Sequence, residues 1–227
     1  MRIAVLASGR GSNLKTILEH AVAGRLSVSV CLVLSNNPEA GALDIAKAYG
    51  VPVWNKSHKG MSRENFDREM LASIKAVGVE AVVLAGYMRI LSSAFINAFK
   101  GKILNIHPAL LPSFPGLNGG GDAVDYSVRL TGCTVHFVED AMDNGPVVIQ
   151  AAVPLNAGDS VEDIMPRIHR LEHRIYPQAI QWLAKGRLQI EGRKVRLLPK
   201  VGATLAPGAC GELESCPWLV CPALEDF

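Results

Sequence analysis

The sequence has no apolar run of the roughly 18 residues that a membrane-spanning helix requires, and no cluster of Lys or Arg. Nor does it hold cysteines at the close spacing that metal sites favour. Each absence excludes a class. With 23 basic against 21 acidic residues, a formal charge of +2, the chain lacks the basic footprint of a nucleic-acid binder. Its five cysteines (Cys31, Cys133, Cys210, Cys216 and Cys221) are odd in number. The first two lie in strand-like contexts and read as buried thiols. The apolar part of Met1–Arg10 is too short for a signal peptide. A soluble cytoplasmic protein is the economical reading. At 227 residues, 49% of them hydrophobic, the chain can bury a substantial core as one large domain or two small ones.

Two further absences narrow the N-terminal motif. Arg2–Ala7 is a β-branched and apolar run of the kind that forms a buried parallel strand. It leads into Ser8-Gly9-Arg10-Gly11-Ser12-Asn13, after which Leu14, Ile17, Leu18 and Ala21 recur at helical spacing. A third glycine is missing, and the next strand ends in Ser35-Asn36-Asn37 without the acid that would meet a ribose, so this is no dinucleotide fingerprint. No Gly-Lys-Ser/Thr makes it a Walker loop. Strand, Gly-rich turn and helix remain. The amides at a helix start lack intrahelical partners and lie at its positive end, which suits a phosphate. Ser12 and Asn13 serve equally as ordinary N-caps.

Strand and helix patterns alternate through residue 107. Helices are predicted at Ala40–Tyr49, Arg63–Val77 and Ser93–Phe99, and strands at Ser27–Leu34, Val51–Trp54, Glu80–Ala85 and Lys102–His107. This alternation argues an α/β fold with a doubly wound, mainly parallel sheet. Beyond Pro112 the pattern changes. Ser113–Gly121 reads as a loop, Asp122–Arg129 as a helix, and Cys133–Val138 with Pro146–Pro154 as a hairpin-like addition. Ser160 opens a long helix with Asp163 as an approximate capping box, an apolar stripe from Val161 to Ile180, and two bending prolines, Pro166 and Pro177. A small hairpin turns around Gly192. Residues from 199 on have no period and read as an appended, flexible tail. A zinc site from its cysteines lacks the close pair such sites favour.

The polar residues converge on one strand end. Asn105 and His107 are i and i+2, so they project to the same face. Pro108 then ends the ladder. Ligands of open α/β sheets bind beyond the carboxyl ends of their strands. Asp143, in a Gly-flanked loop, is free to approach the same edge, or is simply a turn residue. His136 reads as a hydrogen-bonded structural residue, and His20, His58 and His169 as surface ones.

Five motifs occur together: Ser8-Gly9-x-Gly11-Ser12-Asn13, Gly86-Tyr87-Met88-Arg89-Ile90-Leu91, Leu104-Asn105-Ile106-His107-Pro108-Ala109-Leu110-Leu111-Pro112, Thr134-Val135-His136-Phe137-Val138 and Asp143-x-Gly145-Pro146-Val147-Val148-x-Gln150. In this order and spacing the set resembles the phosphoribosylglycinamide formyltransferase family, over about residues 1–198. The resemblance implies a Rossmann-like formyltransferase fold, with a mixed, mainly parallel sheet and helices on both faces. It implies a phosphate-binding half over 1–100 and a catalytic half over 101–198. It also implies formyl transfer from 10-formyltetrahydrofolate, as co-substrate, to the amine of glycinamide ribonucleotide in de novo purine biosynthesis. The substrates are small molecules, the protein is a monomer or homodimer, and no metal, nucleic acid or membrane is needed. Carried over by position, Asn105, His107 and Asp143 are catalytic; Gly11, Ser12, Asn13 and Glu172 bind the ribonucleotide; Arg63, Met88, Arg89, Ile90, Leu91 and Asn105 meet the folate. The amine attacks the formyl carbon, so an oxyanion and a positive nitrogen develop together. Asn105 and a protonated His107 can donate to the oxyanion, and Asp143 beside His107 favours the imidazolium.

One departure stands out. The family usually carries a His-containing run after the Leu-Leu-Pro segment, where this chain has Asn118-Gly119-Gly120-Gly121, an expected mobile loop. Pro166 and the tail are also unusual. The rival readings are a formyltetrahydrofolate deformylase, normally preceded by a regulatory domain, and a catalytically weakened folate- or phosphate-binding homologue. A methionyl-tRNA formyltransferase would need a further domain and a basic face.

Overall fold

The computed structural model describes residues 1–200 and 219–225. The chain divides into two compact units, Met1–Asn105 with Val138–Asp140, and Ile106–Phe137 with Ala141–Phe227. The division falls between Asn105 and Ile106, inside a strand.

The first unit alternates as expected: β1 (Arg2–Leu6), α1 (Ser12–Val22), β2 (Ser29–Ser35), α2 (Gly41–Ala48), β3 (Val53–Asn55), α3 (Arg63–Ala76), β4 (Ala81–Leu84), α4 (Ser93–Ala98) and the opening of β5 (Ile103–His107). Its strands run in the order β5-β4-β1-β2-β3 and every pairing is parallel. All five therefore end at one edge. Strands β1 and β4 are wholly apolar apart from Arg2, because a parallel strand covered on both faces has no solvent side to alternate towards. Phe66, Met70 and Ile74 recur along α3 and enter one core with Leu6, Leu34, Leu84, Tyr87 and Phe95. Fully burying a side chain such as Phe66 stabilises the fold by about 2 kcal/mol. Ser62 and Ser92 cap α3 and α4 by accepting from Asn65 N–H and Phe95 N–H.

The second unit continues from β5 into α5 (Gly119–Tyr126), β6 (Leu130–Phe137), β7 (Val147–Pro154), α6 (Val161–Ala184), β8 (Leu188–Glu191), β9 (Lys194–Leu197) and β10 (Val220–Cys221). Strands β6 and β7 pair antiparallel, as do β8 and β9. Antiparallel ladders here and parallel ones in the first unit give the α/β fold its mixed, mainly parallel strand directions. Helix α6 packs on β6 and β7, and Ile164, Ile168, Leu171 and Ile175 along it are buried. The Ser160–Asp163 capping box is present in both directions, and one continuous helix accommodates Pro166 and Pro177.

Two expectations are corrected. Gly119, Gly120 and Gly121 are not in a mobile loop: they form the buried first turn of α5. A Cβ at Gly119 would lie 2.7 Å from His107 Nε2, one at Gly120 2.5 Å from Met165 Sδ, and one at Gly121 2.5 Å from the Asn118 side chain. Close packing, with no positive φ, explains the three glycines. The tail reading also changes for its described part. Val220 and Cys221 pair with Ala151 and Gln150 of β7, and the Glu225 carboxylate accepts from Arg187 and from Trp182 Nε1. Residues 201–218, with Cys210 and Cys216, lie outside the described residues. Cys133 is buried as expected, while Cys31 is only half-buried.

Candidate active site

The parallel edge of the first unit carries the turn read as a phosphate site. Gly11 is the N-cap of α1 at φ 86, and no side chain caps that helix start, so Ser12 and Asn13 are not the ordinary caps considered above. Only glycine suits Gly11, since a Cβ there would meet the Ala42 backbone at 2.8 Å in addition to the positive φ. Ser12 is exposed and Asn13 half-buried. The strand ends beside the turn are tied together by polar side chains. Ser8 Oγ–H donates to Asn36 Oδ1 at 2.5 Å and accepts from Met88 N–H at 2.8 Å, and Asn37 Nδ2 donates to the Ser8 carbonyl at 3.3 Å. This network, which no sequence motif announces, fixes where the Met88–Leu91 strip starts.

Along that strip Met88 and Ile90 are exposed, Leu91 is buried, and the Arg89 guanidinium lies 4.6 Å above the Phe66 ring. Arg63 opens α3 and is exposed. Beneath the strip, the buried carboxylate of Asp67 accepts from Ser92 N–H at 2.5 Å. Burial pushes its carboxyl up, against the Ser92 hydrogen bond and the nearby Arg89 and Arg63 charges. The Tyr87 phenol is raised by the same burial. Asn105, on β5 at this edge, is half-buried.

The second unit holds a compact acid–base cluster. His107 is 3% exposed. Its Nε2–H donates to the Phe114 carbonyl at 2.7 Å, which fixes the tautomer, because a carbonyl can only accept. Its Nδ1 then faces Asp143 Oδ2 at 3.5 Å. The same Oδ2 accepts from Gly116 N–H at 2.8 Å. Asp143 adopts φ 51, a left-handed conformation that Asp and Asn tolerate better than most side chains. Phe114, also left-handed at φ 53, is the residue whose carbonyl reaches His107. The second carboxylate oxygen, Oδ1, faces Nε2 of the buried His136 at 3.6 Å. Thr134 and Gln150 brace the turn after His107. Thr134 Oγ1 donates to the Ala109 carbonyl at 2.7 Å and accepts from Leu111 N–H, while Gln150 Nε2 donates to Thr134 Oγ1 and the Leu111 carbonyl.

Sequence-predicted residues thus fall into two sets. His107 and Asp143 meet; His136, read as purely structural, joins them, and Phe114 and Gly116 were missed because their contributions are main-chain groups. The signal for His136 was its place in the Thr134-Val135-His136-Phe137-Val138 motif, two residues after Thr134. Glu172 is 4% exposed on α6, and its charge adds to burial in pushing the Cys133 thiol up. Among the described residues no group of three His, Cys, Asp or Glu is arranged to hold a metal ion, and no helix is long and apolar enough to cross a membrane.

This arrangement offers a buried imidazole–carboxylate pair, the equipment for proton movement at a carbonyl-type centre. The family model described as formyl transferase matches residues 1–180. A phosphoribosylglycinamide formyltransferase of Escherichia coli is 44% identical over 84% of this chain and 90% of its own length. The human trifunctional purine biosynthetic protein adenosine-3 is 40% identical over 83% of this chain, which spans only 19% of that longer protein. In the solved structures, glycinamide ribonucleotide transformylase 1 from Symbiobacterium toebii superposes with a TM-score of 0.86 at 46% identity, covering 88% of this chain and 94% of its own. The chain belongs to the formyl transferase family, among its phosphoribosylglycinamide formyltransferases.

Proposed function

We propose that this enzyme transfers the formyl group of 10-formyltetrahydrofolate to the amine of glycinamide ribonucleotide, a step of purine biosynthesis that yields formylglycinamide ribonucleotide and tetrahydrofolate. The observation that carries the assignment of roles is the buried His107–Asp143 pair, with His107 at the end of β5.

In this reading the amides after Gly11 and the side chains of Ser12 and Asn13 hold the ribonucleotide phosphate at the start of α1. Glu172 lies near the glycinamide. The strip Met88–Leu91, with Arg63 and Arg89, receives the folate. The amine nitrogen attacks the formyl carbon, and the carbonyl electrons move to oxygen. The Asn105 amide donates to that oxyanion, one well-placed donor of this kind being worth about 3 kcal/mol in the barrier, and the His107 imidazolium, whose two N–H groups face Phe114 and Asp143, stabilises it through its charge. Asp143 keeps the imidazolium charge compensated. Collapse breaks the bond to N10; one proton leaves the former amine and one arrives at N10, so the protein ends as it began. The partners are these two small molecules, acted on by a monomer or homodimer in a cytoplasmic setting.

The test mixes purified protein with 10-formyltetrahydrofolate, with and without glycinamide ribonucleotide, and follows tetrahydrofolate release by absorbance. Release that requires the acceptor supports the assignment. Release without acceptor would indicate a deformylase, and no release in either mixture a binding protein.

A further inference from the structure

The Met88–Leu91 strip has almost no framework of its own. It lies beyond the end of β4, in neither strand nor helix. The main chain of Arg89, Ile90 and Leu91 makes no hydrogen bond to the described residues. A segment without a ladder keeps one shape only if its ends are fixed. Side chains from elsewhere in the first unit do this, one at each end. Met88 N–H donates to Ser8 Oγ at 2.8 Å, and just past the other end Ser92 N–H donates to Asp67 Oδ2 at 2.5 Å. Between these points the strip alternates. Met88 and Ile90 are 56% and 47% exposed, whereas Leu91 is buried and Arg89 lies over Phe66.

One short stretch of α3 supplies the far anchor. Arg63, Phe66 and Asp67 occupy its first turns, so the residue next to the ring under Arg89 is the one that takes Ser92 N–H. Asp67 is 1% exposed, and its Oδ1 has no hydrogen-bond partner among the described residues. Burial disfavours its charge, and the groups that favour it are Ser92, Arg89 and Arg63. Each of these lies in the strip, at its end, or at Arg63, the other side chain read as meeting the folate.

We propose that Asp67 is a positioning residue for the folate: by accepting from Ser92 N–H it fixes the far end of the Met88–Leu91 strip, as Ser8 fixes the start. The inference rests on the reading of that strip as the folate site. Ordering a loose segment at the moment of binding weakens affinity, so a strip already held at both ends binds more tightly. The bond acts before chemistry. It bears on folate binding and leaves the ribonucleotide and the turnover untouched. The plain alternative is that Asp67 only ties α3 to the start of α4, where Ser92 is the N-cap.

The experiment compares Asp67→Ala with Asp67→Asn. Both lose the charge, and only asparagine keeps an oxygen that can accept from Ser92 N–H, so the difference between them reports the hydrogen bond. Steady-state formyl transfer is expected to show the KM for 10-formyltetrahydrofolate raised about tenfold in Asp67→Ala and within about threefold of wild type in Asp67→Asn. The KM for glycinamide ribonucleotide and kcat should stay within about twofold in both. Equal folate KM values in the two variants would overturn the inference, as would a joint rise of both KM values. A merely structural tie would lower the melting temperature without that split. Should Asp67→Ala not fold, Ser92→Pro removes the same bond from the donor side, because Ser92 sits at φ −73, which suits proline. Its control is Ser92→Ala, which loses the same hydroxyl and keeps the N–H; folate KM values alike in both would refute the proposal. Arg89→Ala is run alongside. A wild-type folate KM there would sink the reading of the strip itself, whereas a raised one, with Asp67→Ala like wild type, would remove only this inference.

Discussion

Asp143→Asn removes a charge while keeping a shape, which makes it the sharpest probe of the cluster. Asparagine tolerates the left-handed φ of 51 as aspartate does, so the backbone need not move. Its amide oxygen can still accept from Gly116 N–H, the 2.8 Å bond that holds Oδ2. What disappears is the negative charge 3.5 Å from His107 Nδ1 and 3.6 Å from His136 Nε2. At 3.5 Å and an effective dielectric constant of about 20, a unit pair interacts by about 5 kcal/mol. Desolvation of the buried groups offsets part of that. With the amide oxygen in the Oδ2 place, the amide nitrogen falls in the Oδ1 place and faces His136 Nε2. A net loss of about 3 kcal/mol in transition-state stabilisation corresponds to a kcat lower by about 10²-fold, with KM values little changed. Steady-state formyl transfer, followed by absorbance beside a thermal melt, measures both. A kcat within about threefold of wild type in a normally melting variant would refute the argument that a charged imidazole–carboxylate pair carries the chemistry.

Other perturbations probe other parts. His107→Ala should lower turnover by about 10²-fold while folate and ribonucleotide still bind, as equilibrium titration would show. Gly11→Ala forces a side chain into the Ala42 backbone at a positive φ, and isothermal titration should find ribonucleotide binding weakened by at least about tenfold. Gly132→Ala would overlap the Ala151 carbonyl oxygen across the β6–β7 ladder, costing about 3 kcal/mol and lowering the melting temperature by roughly 6–12 °C. The Arg187 guanidinium beside Glu225 holds that carboxyl below the usual range, with its hydrogen bond the largest cause. A depressed carboxyl contributes stability that is present above its unfolded value of about 4.3 and lost as pH falls through the folded one. Melts from pH 7 to pH 3 should therefore show wild type losing its advantage over Glu225→Gln in the acid range; parallel curves would contradict the link.

Local features were legible because their causes are local. Apolar runs of four to seven residues alternating with helical stripes specify parallel strands and covering helices, and β1, α1, α3 and β4 follow that pattern. The Ser160–Asp163 box needs only four consecutive residues. The common projection of Asn105 and His107 follows from strand geometry alone. Glycine was the misleading case. Its usual meaning is conformational freedom, yet Gly119–Gly121 begin a helix because neighbouring side chains occupy the space their Cβ atoms would need. A packing requirement overrode a propensity. Val220 and Cys221 were read as shapeless because two residues have no period, and only the free edge of β7 makes them a strand.

By itself the sequence determined the alternating framework, the Gly-rich turn at Gly11 and the strand end where Asn105 and His107 emerge, all consequences of neighbours along the chain. Tertiary structure alone decided that Asp143 reaches His107, that His136 meets the other carboxylate oxygen, and that Phe114 and Gly116 complete the cluster through their main chain. Those contacts join residues distant in sequence. Their distances depend on how β6, β7 and the loop before α5 pack, and no local spacing encodes that.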